Sequence, residues 1–157
     1  MGRIYSAPFQ GIAVSAVQDV FEILCPSDAV LCLHRAEVSD ETSETSEQAV
    51  ILIRRGVGAV TSGSGGSTIT PAPLQLGESA SGATVERNNT TPMVVGSGTL
   101  TTLDSRAFNW LNGYLWAPTP EERIYISPGD RVAFNLVNAP GASRTCSGVL
   151  VFEELGG

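Results

Sequence analysis

The stretch Ala-Val-Leu-Cys-Leu-His-Arg-Ala-Glu-Val at residues 29–38 decides the fold class. Side chains alternate along it with a period of two, which is typical of a β-strand with two different faces. We therefore predict one strand over 29–38. The even-numbered residues of this strand are expected to share one face: Val30, Cys32, His34, Ala36 and Val38.

The same test favours strands over most of the chain. Short apolar runs are separated by turn residues such as Pro128-Gly129-Asp130, and no window has a helical period with proper caps. The predicted strands are 12–16, 20–24, 29–38, 49–55, 98–103, 107–117, 123–127, 131–137 and 145–155. We predict an all-β protein with one domain over residues 1–157: an antiparallel, jelly-roll-like β-sandwich of about nine strands with one long ordered loop.

Residues 56–97 interrupt the strand pattern. They hold eight of the seventeen glycines, twelve Ser or Thr and only three charged residues. Loops of this length are usually functional or disordered, and disorder normally goes with high charge, which this segment lacks. We expect it to be ordered by lying on its own domain or on a neighbouring subunit. Its candidate interface residues are Thr61, Ser62, Ile69, Leu74, Leu76, Asn88 and Asn89.

An aromatic cluster lies within residues 107–117. Asn112-Gly113 is either the turn of a tight hairpin or a bulge in one long strand, and the apolar flanks favour the bulged strand. On a regular strand Trp110, Tyr114 and Trp116 share one face, so they are also candidate interface residues. That face is a sandwich core if buried, and a subunit interface or a sugar-stacking platform if exposed. We favour the core, alone or extended by an interface.

The composition excludes several classes of partner and chemistry. The net charge is −7 and all nine basic residues are Arg. Because phosphate binding needs clustered cations, no nucleic-acid partner is expected. Without lysine, neither a Walker A phosphate loop nor a Schiff base can form. No stretch approaches the ~20 apolar residues of a membrane span, so no membrane partner is expected. Three cysteines without a framework spacing indicate reduced thiols and assembly in a cytosol.

Catalytic groups are scarce. The single histidine, His34, lies in the middle of a predicted strand and is interpreted as a core or edge residue. One histidine cannot form a multi-histidine zinc site. The acidic loop Asp40–Glu47 offers ligands for a hard cation but lacks the spacing of a calcium loop. We expect no enzyme activity, no cofactor and no metal.

Landmarks along nearly the whole chain resemble a family of small virion structural proteins of tailed phages and prophages. The residues that carry the resemblance are Gly2-Arg3-Ile4-Tyr5, Gln18-Asp19-Val20-Phe21-Glu22-Ile23, Thr61-Ser62-Gly63-Ser64-Gly65-Gly66, Gly82-Ala83-Thr84-Val85-Glu86, Asn88-Asn89-Thr90-Thr91, Ala107-Phe108-Asn109, Pro118-Thr119-Pro120-Glu121-Glu122-Arg123, Ile126-Ser127-Pro128-Gly129 and Phe152-Glu153-Glu154-Leu155-Gly156-Gly157.

The resemblance implies a non-enzymatic capsid decoration (cement) protein with a β-sandwich fold. Such a protein binds the outer surface of the phage head after assembly in the bacterial cytoplasm. Its expected partners are the major capsid protein and further copies of itself, as a dimer or a trimer. The resemblance carries no catalytic residues.

Two other functions are open from the residues alone. The first is a carbohydrate-binding jelly roll on a tail or head fibre, using Trp110, Tyr114 and Trp116. The second is a hydrolase that uses His34 in a Ser-His-Asp or Cys-His arrangement.

Overall fold

The computed structural model describes residues 2–42 and 45–156. Within these ranges the chain forms fourteen β-strands and one short 3₁₀ turn, Pro120–Glu122. The strands are β1 (Arg3–Val14), β2 (Gln18–Leu24), β3 (Ala29–Asp40), β4 (Gln48–Val57), β5 (Val60–Thr61), β6 (Ser67–Ile69), β7 (Ala72–Pro73), β8 (Thr84–Asn89), β9 (Val94–Val95), β10 (Thr99–Asn109), β11 (Tyr114–Trp116), β12 (Tyr125–Ile126), β13 (Arg131–Leu136) and β14 (Arg144–Gly156).

The strands form a sandwich of two antiparallel sheets. The first sheet has the order β11-β3-β14-β1-β7, with β12 also paired to β3, and the second has the order β10-β4-β13-β2-β8-β6. Among the long strands, the order 11-3-14-1 in one sheet faces 10-4-13-2 in the other. This is the strand order of a jelly roll, in which two Greek keys are wound together. The predicted antiparallel β-sandwich is confirmed.

The predicted number of about nine strands is wrong. The segment 56–97 alone contributes five short strands, β5 to β9. Its Gly, Ser and Thr content hides them, because strands of two to six residues have too few apolar side chains to show alternation.

The core lies between the two sheets and is rich in aromatic rings. The centroids of Phe9 and Phe21 are 5.2 Å apart, and those of Trp116 and Phe134 are 5.8 Å apart. Each of these pairs joins the first sheet to the second. Phe21 also packs edge-on against Phe134, at 6.3 Å. Tilted and edge-to-face rings of this kind add stability beyond the area that they bury.

A bulge in β3 overturns the predicted common face of the even-numbered residues. Leu31 and Leu33 are buried in the core, whereas further along the strand Ala36 and Val38 take the buried positions. The pairing with β14 shifts between these two pairs, which leaves His34 without an opposite residue. An unpaired residue reverses the alternation of faces. His34 therefore lies on the outer face of the first sheet.

The aromatic cluster contains a corner that passes from one sheet to the other. β10 pairs with β4 in the second sheet, while β11 pairs with β3 in the first. Between them, the amides of Asn112 and Gly113 both donate to the carbonyl of Asn109, and Gly113 has a φ of +73°. The favoured bulged strand is wrong, and so is the hairpin. The residues on both sides of Asn112-Gly113 are apolar because they belong to β10 and β11, which cover opposite sides of one core.

The segment 56–97 closes one side of the sandwich. β8 and β6 extend the second sheet beyond β2, and β7 pairs with β1 at the edge of the first sheet. On the opposite side, β10 pairs only with β4 among the described strands. Unpaired strand edges can pair with another chain. The segment 56–97 protects one edge of the sandwich from such pairing, whereas the 11-residue edge of β10 stays open.

Candidate functional site

The segment 56–97 lies on its own domain, and its two ends cover the outer face of the second sheet at β2. Ser64 and Thr91 form a bridge that joins its outgoing and returning halves. Both halves contact side chains of β2, a strand that is buried on its two faces. The predicted order of this segment therefore comes from intramolecular contacts.

Glu22 of β2 is the main anchor of the segment, and its side chain is 2% exposed. Its Oε1 accepts hydrogen bonds from Ser62 Oγ and Arg131 Nη1, both at 2.8 Å. Its Oε2 accepts from the Gly63 amide at 2.8 Å and from Asn89 Nδ2 at 3.2 Å. A buried carboxylate is tolerated only when it is paired and hydrogen-bonded. The segment supplies three of these four donors.

Asp19, also on β2, is the second anchor and is fully buried. Its Oδ2 accepts from the Met93 amide at 2.6 Å, and its Oδ1 accepts from Asn135 Nδ2 at 2.8 Å. Arg54 Nη2 lies 3.4 Å from Oδ1. Burial raises the pKa of Asp19, and the Met93 amide opposes that shift. The sequence signal for both anchors was available, since acidic residues inside an apolar strand need buried partners.

Three of the predicted interface residues serve this internal contact. Ser62 and Asn89 bind Glu22, and the Oδ1 of Asn88 accepts a hydrogen bond from Gln18 Nε2 at 2.9 Å. Asn88 has a φ of +53°, a conformation that Asn tolerates better than most residues. These side chains hold the segment on the sheet. Their role in an interface with another molecule stays a prediction.

The remaining predicted residues of the segment are more exposed. Thr61 is exposed in β5, where it pairs with Val94, and Ile69 is partly buried against the core. Leu74 and Leu76 are 62% and 101% exposed. We call residues 74–76 the leucine tip.

The base of the leucine tip is fixed to the sandwich. The Leu74 amide donates to the Ile4 carbonyl at 2.8 Å, and the Tyr5 hydroxyl donates to the Ser79 carbonyl at 2.9 Å. Two large apolar side chains are thus held in solvent by a short, tethered loop.

The three predicted aromatic interface residues are buried within the chain. Trp110, Tyr114 and Trp116 are 2%, 2% and 4% exposed. Burial raises the pKa of the Tyr114 phenol well above its usual value. The three rings therefore offer no exposed face on which a sugar could stack, and the core interpretation of this cluster holds.

A groove of about 410 Å³ lies beside Trp116, between β10 and the loop that follows β11. Asp104, Arg106 and Glu122 line it. Arg106 also donates to the Leu115 carbonyl at 3.0 Å, so its guanidinium is held at the groove wall. The groove is polar and open, and the sequence reasoning missed it because its walls come from separate segments.

The acidic loop 40–47 binds an arginine of its own chain. Arg144 is 3% exposed, and its Nη1 donates to Asp40 Oδ2 at 2.6 Å while its Nη2 donates to Glu47 Oε2. The guanidinium carbon also lies 5.3 Å from the centre of the Trp110 ring. The hydrogen bond from Arg144 lowers the pKa of Glu47. Residues 43 and 44 of the loop lie outside the described residues, so cation binding there stays untested.

His34 is hydrogen-bonded to a carboxylate, with 3.2 Å between His34 Nε2 and Glu153 Oε2. The nearby Cys32 is 1% exposed, and burial raises the pKa of its thiol. A nucleophilic cysteine needs the opposite shift. The observed arrangement therefore does not favour the hydrolase hypothesis.

Comparisons with known proteins do not identify a family. No family model and no curated protein matches the chain. A chain from the structure of infectious bursal disease virus, Gx strain, is 14% identical, with a TM-score of 0.18 over 99% of this chain and 41% of that chain. This protein thus spans about two fifths of that chain, and a likeness this low carries no argument. No helix within residues 2–42 and 45–156 is long and apolar enough to cross a membrane.

Replacing Glu22 with alanine should loosen the segment 56–97 and destabilise the fold. The substitution leaves Arg131 Nη1 and the Gly63 amide without this acceptor, and Ser62 keeps only its 3.4 Å contact to Glu86. Breaking a buried pair in this way costs about 3 kcal/mol or more. Urea denaturation measures the stability, and hydrogen exchange of residues 62–66 and 89–93 measures the loosening. Glu37→Ala is the control, because its pair with Arg35 is exposed and should contribute less than about 1 kcal/mol. Equal losses in both variants would contradict the anchoring role.

The contact between Glu47 and Arg144 should make stability depend on acid pH. Because the pKa of Glu47 is lowered in the folded state, its contribution is present above the ordinary value of 4.5 and is lost as the pH falls through the folded pKa. The stability difference between wild type and Glu47→Gln should therefore be largest near neutral pH and shrink in acid. Urea titrations at several pH values measure it, with Glu37→Gln as the control. A difference that does not change with pH would refute the linkage.

Proposed function

We propose that this protein is a non-enzymatic virion structural protein, and specifically a capsid decoration (cement) protein. It binds the outer surface of the head and bridges subunits of the major capsid protein, as a homo-oligomer assembled in the bacterial cytoplasm. The observation that carries the proposal is the leucine tip. The side chain of Leu76 is 101% exposed on a tethered loop, so it packs against nothing in its own chain and suits contact with another protein.

The fold and the sequence resemblance support the same proposal. Jelly rolls occur in viral capsid and lectin domains. Because one fold hosts many functions, the fold alone cannot choose between them. The resemblance to phage virion proteins favours the capsid role, and the rigid attachment of the segment 56–97 suits a protein that works mechanically.

The mechanism is cooperative attachment to a repeating surface. An oligomer that engages several identical capsid sites gains effective concentration at each site after the first contact. Its symmetry can match that of the capsomers that it joins. Anything that binds the closed shell but not the opened one stabilises the closed state by linkage. A modest affinity at each leucine tip is then sufficient for stable attachment of the oligomer to the capsid.

The double variant Leu74→Ser, Leu76→Ser should lose head binding while keeping the fold. Both side chains are exposed, so their loss removes apolar contact area without opening the core. Purified protein is added to density-purified heads that lack it, and a quantitative gel measures the ratio of the 16.4 kDa band to the major capsid protein. Wild type should approach a fixed stoichiometry, and the double variant should fall at least tenfold below it.

Leu115→Ser is the matched control, because Leu115 is 50% exposed at a distant strand, β11. It should bind like wild type. Binding of the double variant at the wild-type level would refute the role of the tip, and the absence of wild-type binding to heads would refute the decoration function. Deletion of residues 61–82 is a poorer test, because it removes Ser62 and Gly63 from the Glu22 anchor.

A carbohydrate-binding module is the second candidate, and the groove beside Trp116 favours it. Asp104 offers acceptors and Arg106 offers donors for the hydroxyl groups of a sugar, and the volume of the groove lies in the range of small-molecule sites. A glycan bound there should change the tryptophan fluorescence, and Asp104→Ala should abolish the change, with Glu121→Ala as a control at an exposed position. A fluorescence signal that is unchanged across a glycan panel would count against this function.

A further inference from the structure

Three side chains with different metal-ligating atoms converge on the outer face of the first sheet. Cys32 and His34 are two residues apart on β3, and Glu153 lies opposite Cys32 in the pairing with β14. Because residues i and i+2 share a face and cross-strand partners are neighbours, the three side chains project together. The sulfur, imidazole nitrogen and carboxylate oxygen all lie within 4.8 Å of one another.

The cluster has the shape of a partly enclosed site. Cys32 is 1% exposed, whereas the side chains of His34 and Glu153 are 17% and 19% exposed. Tyr125 of β12 pairs with Cys32 in the sheet, and the side chains of the two residues are hydrogen-bonded. The sulfur therefore forms the floor of the cluster, and the other two groups leave a path to solvent.

The distances suit a small transition-metal ion. Tetrahedral zinc with bonds of 2.0–2.3 Å places its ligand atoms about 3.3–3.8 Å apart. The His34 Nε2 and Glu153 Oε2 atoms are already 3.2 Å apart, and the 4.8 Å limit leaves the sulfur within a small movement of the required position. A thiolate, an imidazole and a carboxylate together favour zinc over calcium or magnesium, which prefer oxygen ligands alone.

A second contact orients the carboxylate. The Gly2 amide donates to Glu153 Oε1 at 2.9 Å, which leaves Oε2 directed toward His34. Outer hydrogen bonds of this kind fix the orientation of metal ligands and raise affinity. The close approach is specific to glycine at this position, since a Cβ on residue 2 would lie 2.5 Å from Glu153 Cγ.

We propose that Cys32, His34 and Glu153 form a binding site for one divalent transition-metal ion of the zinc class. On binding, the ion displaces the proton of the Cys32 thiol, which is released to solvent, so that a thiolate forms only in the metal-bound state. Three protein ligands leave a fourth position for water. The ion ties the middle of β3 to β14 at the bulge, where a backbone pair is missing. The site does not depend on the proposed capsid function.

Cobalt is the probe, because a thiolate ligand gives Co²⁺ a charge-transfer band that carboxylates and imidazoles do not. The untagged, reduced protein is titrated with Co²⁺ alone. We expect one equivalent to produce the thiolate band together with the visible bands of four-coordinate cobalt, and one equivalent of Zn²⁺ to displace it. Absence of the thiolate band at saturating Co²⁺ would overturn the proposal.

Variants identify the ligands. Cys32→Ser should abolish the thiolate band, and His34→Gln should weaken Co²⁺ binding at least tenfold. Cys25→Ser is the control, because this buried thiol donates to the Ala29 carbonyl instead. It should bind Co²⁺ like wild type. Persistence of the band in Cys32→Ser, or its loss in Cys25→Ser, would overturn the assignment.

Thermal melting provides a readout that does not depend on cobalt spectra. Zn²⁺ should raise the melting temperature of wild type, because an ion that binds only the folded state stabilises it. The same concentration should leave His34→Gln unchanged, and this variant replaces a partly exposed side chain and should still fold. An equal rise in both proteins would overturn the proposal.

Discussion

The buried carboxylates of β2 are the interaction on which the rest of the structure depends. Asp19 and Glu22 place two acidic groups on a sheet face that is closed to solvent. Alone, each would impose a desolvation penalty of several kcal/mol. The segment 56–97 offsets part of that penalty, since it supplies three donors to Glu22 and the Met93 amide to Asp19. The carboxylates in turn hold a glycine-rich segment on the sheet.

This mutual dependence determines what the molecule presents to solvent. Because both halves of the segment are fixed at β2, the chain between them reaches around the edge of the sandwich and pairs with β1. The leucine tip projects from that edge. An apolar loop on a flexible segment would lose entropy on binding, whereas a tethered loop has already lost most of it on folding. The anchors would therefore lower the entropic cost of the proposed contact at the leucine tip, although they do not touch it.

The strands of the sandwich could be predicted from the sequence because alternation is a local property. Residues 131–137 and 49–55 follow the simple pattern and were placed correctly to within a few residues. The corner at residues 110–113 could not be predicted, since the residues that flank it are apolar whether they belong to one long strand or to two strands in different sheets. Asp19 and Glu22 stand out as acidic residues in an apolar strand, but their partners could not be predicted. The donors are about 40 to 70 residues away along the chain, and spacing of that kind leaves no periodic signal.

The bulge in β3 links the packing of the core to the proposed metal site on the opposite face of the strand. The sequence itself contains the phase change, since Leu31 and Leu33 occupy odd positions and Ala36 and Val38 occupy even ones. A regular strand could bury only one of these pairs. The extra residue lets both reach the core, at the loss of one backbone pair beside His34. Cys32 and His34 face outward together with Glu153 because the core selects the odd positions there. Burial of Leu31 and Leu33 in the core therefore places the three metal-ligating side chains together on the opposite face.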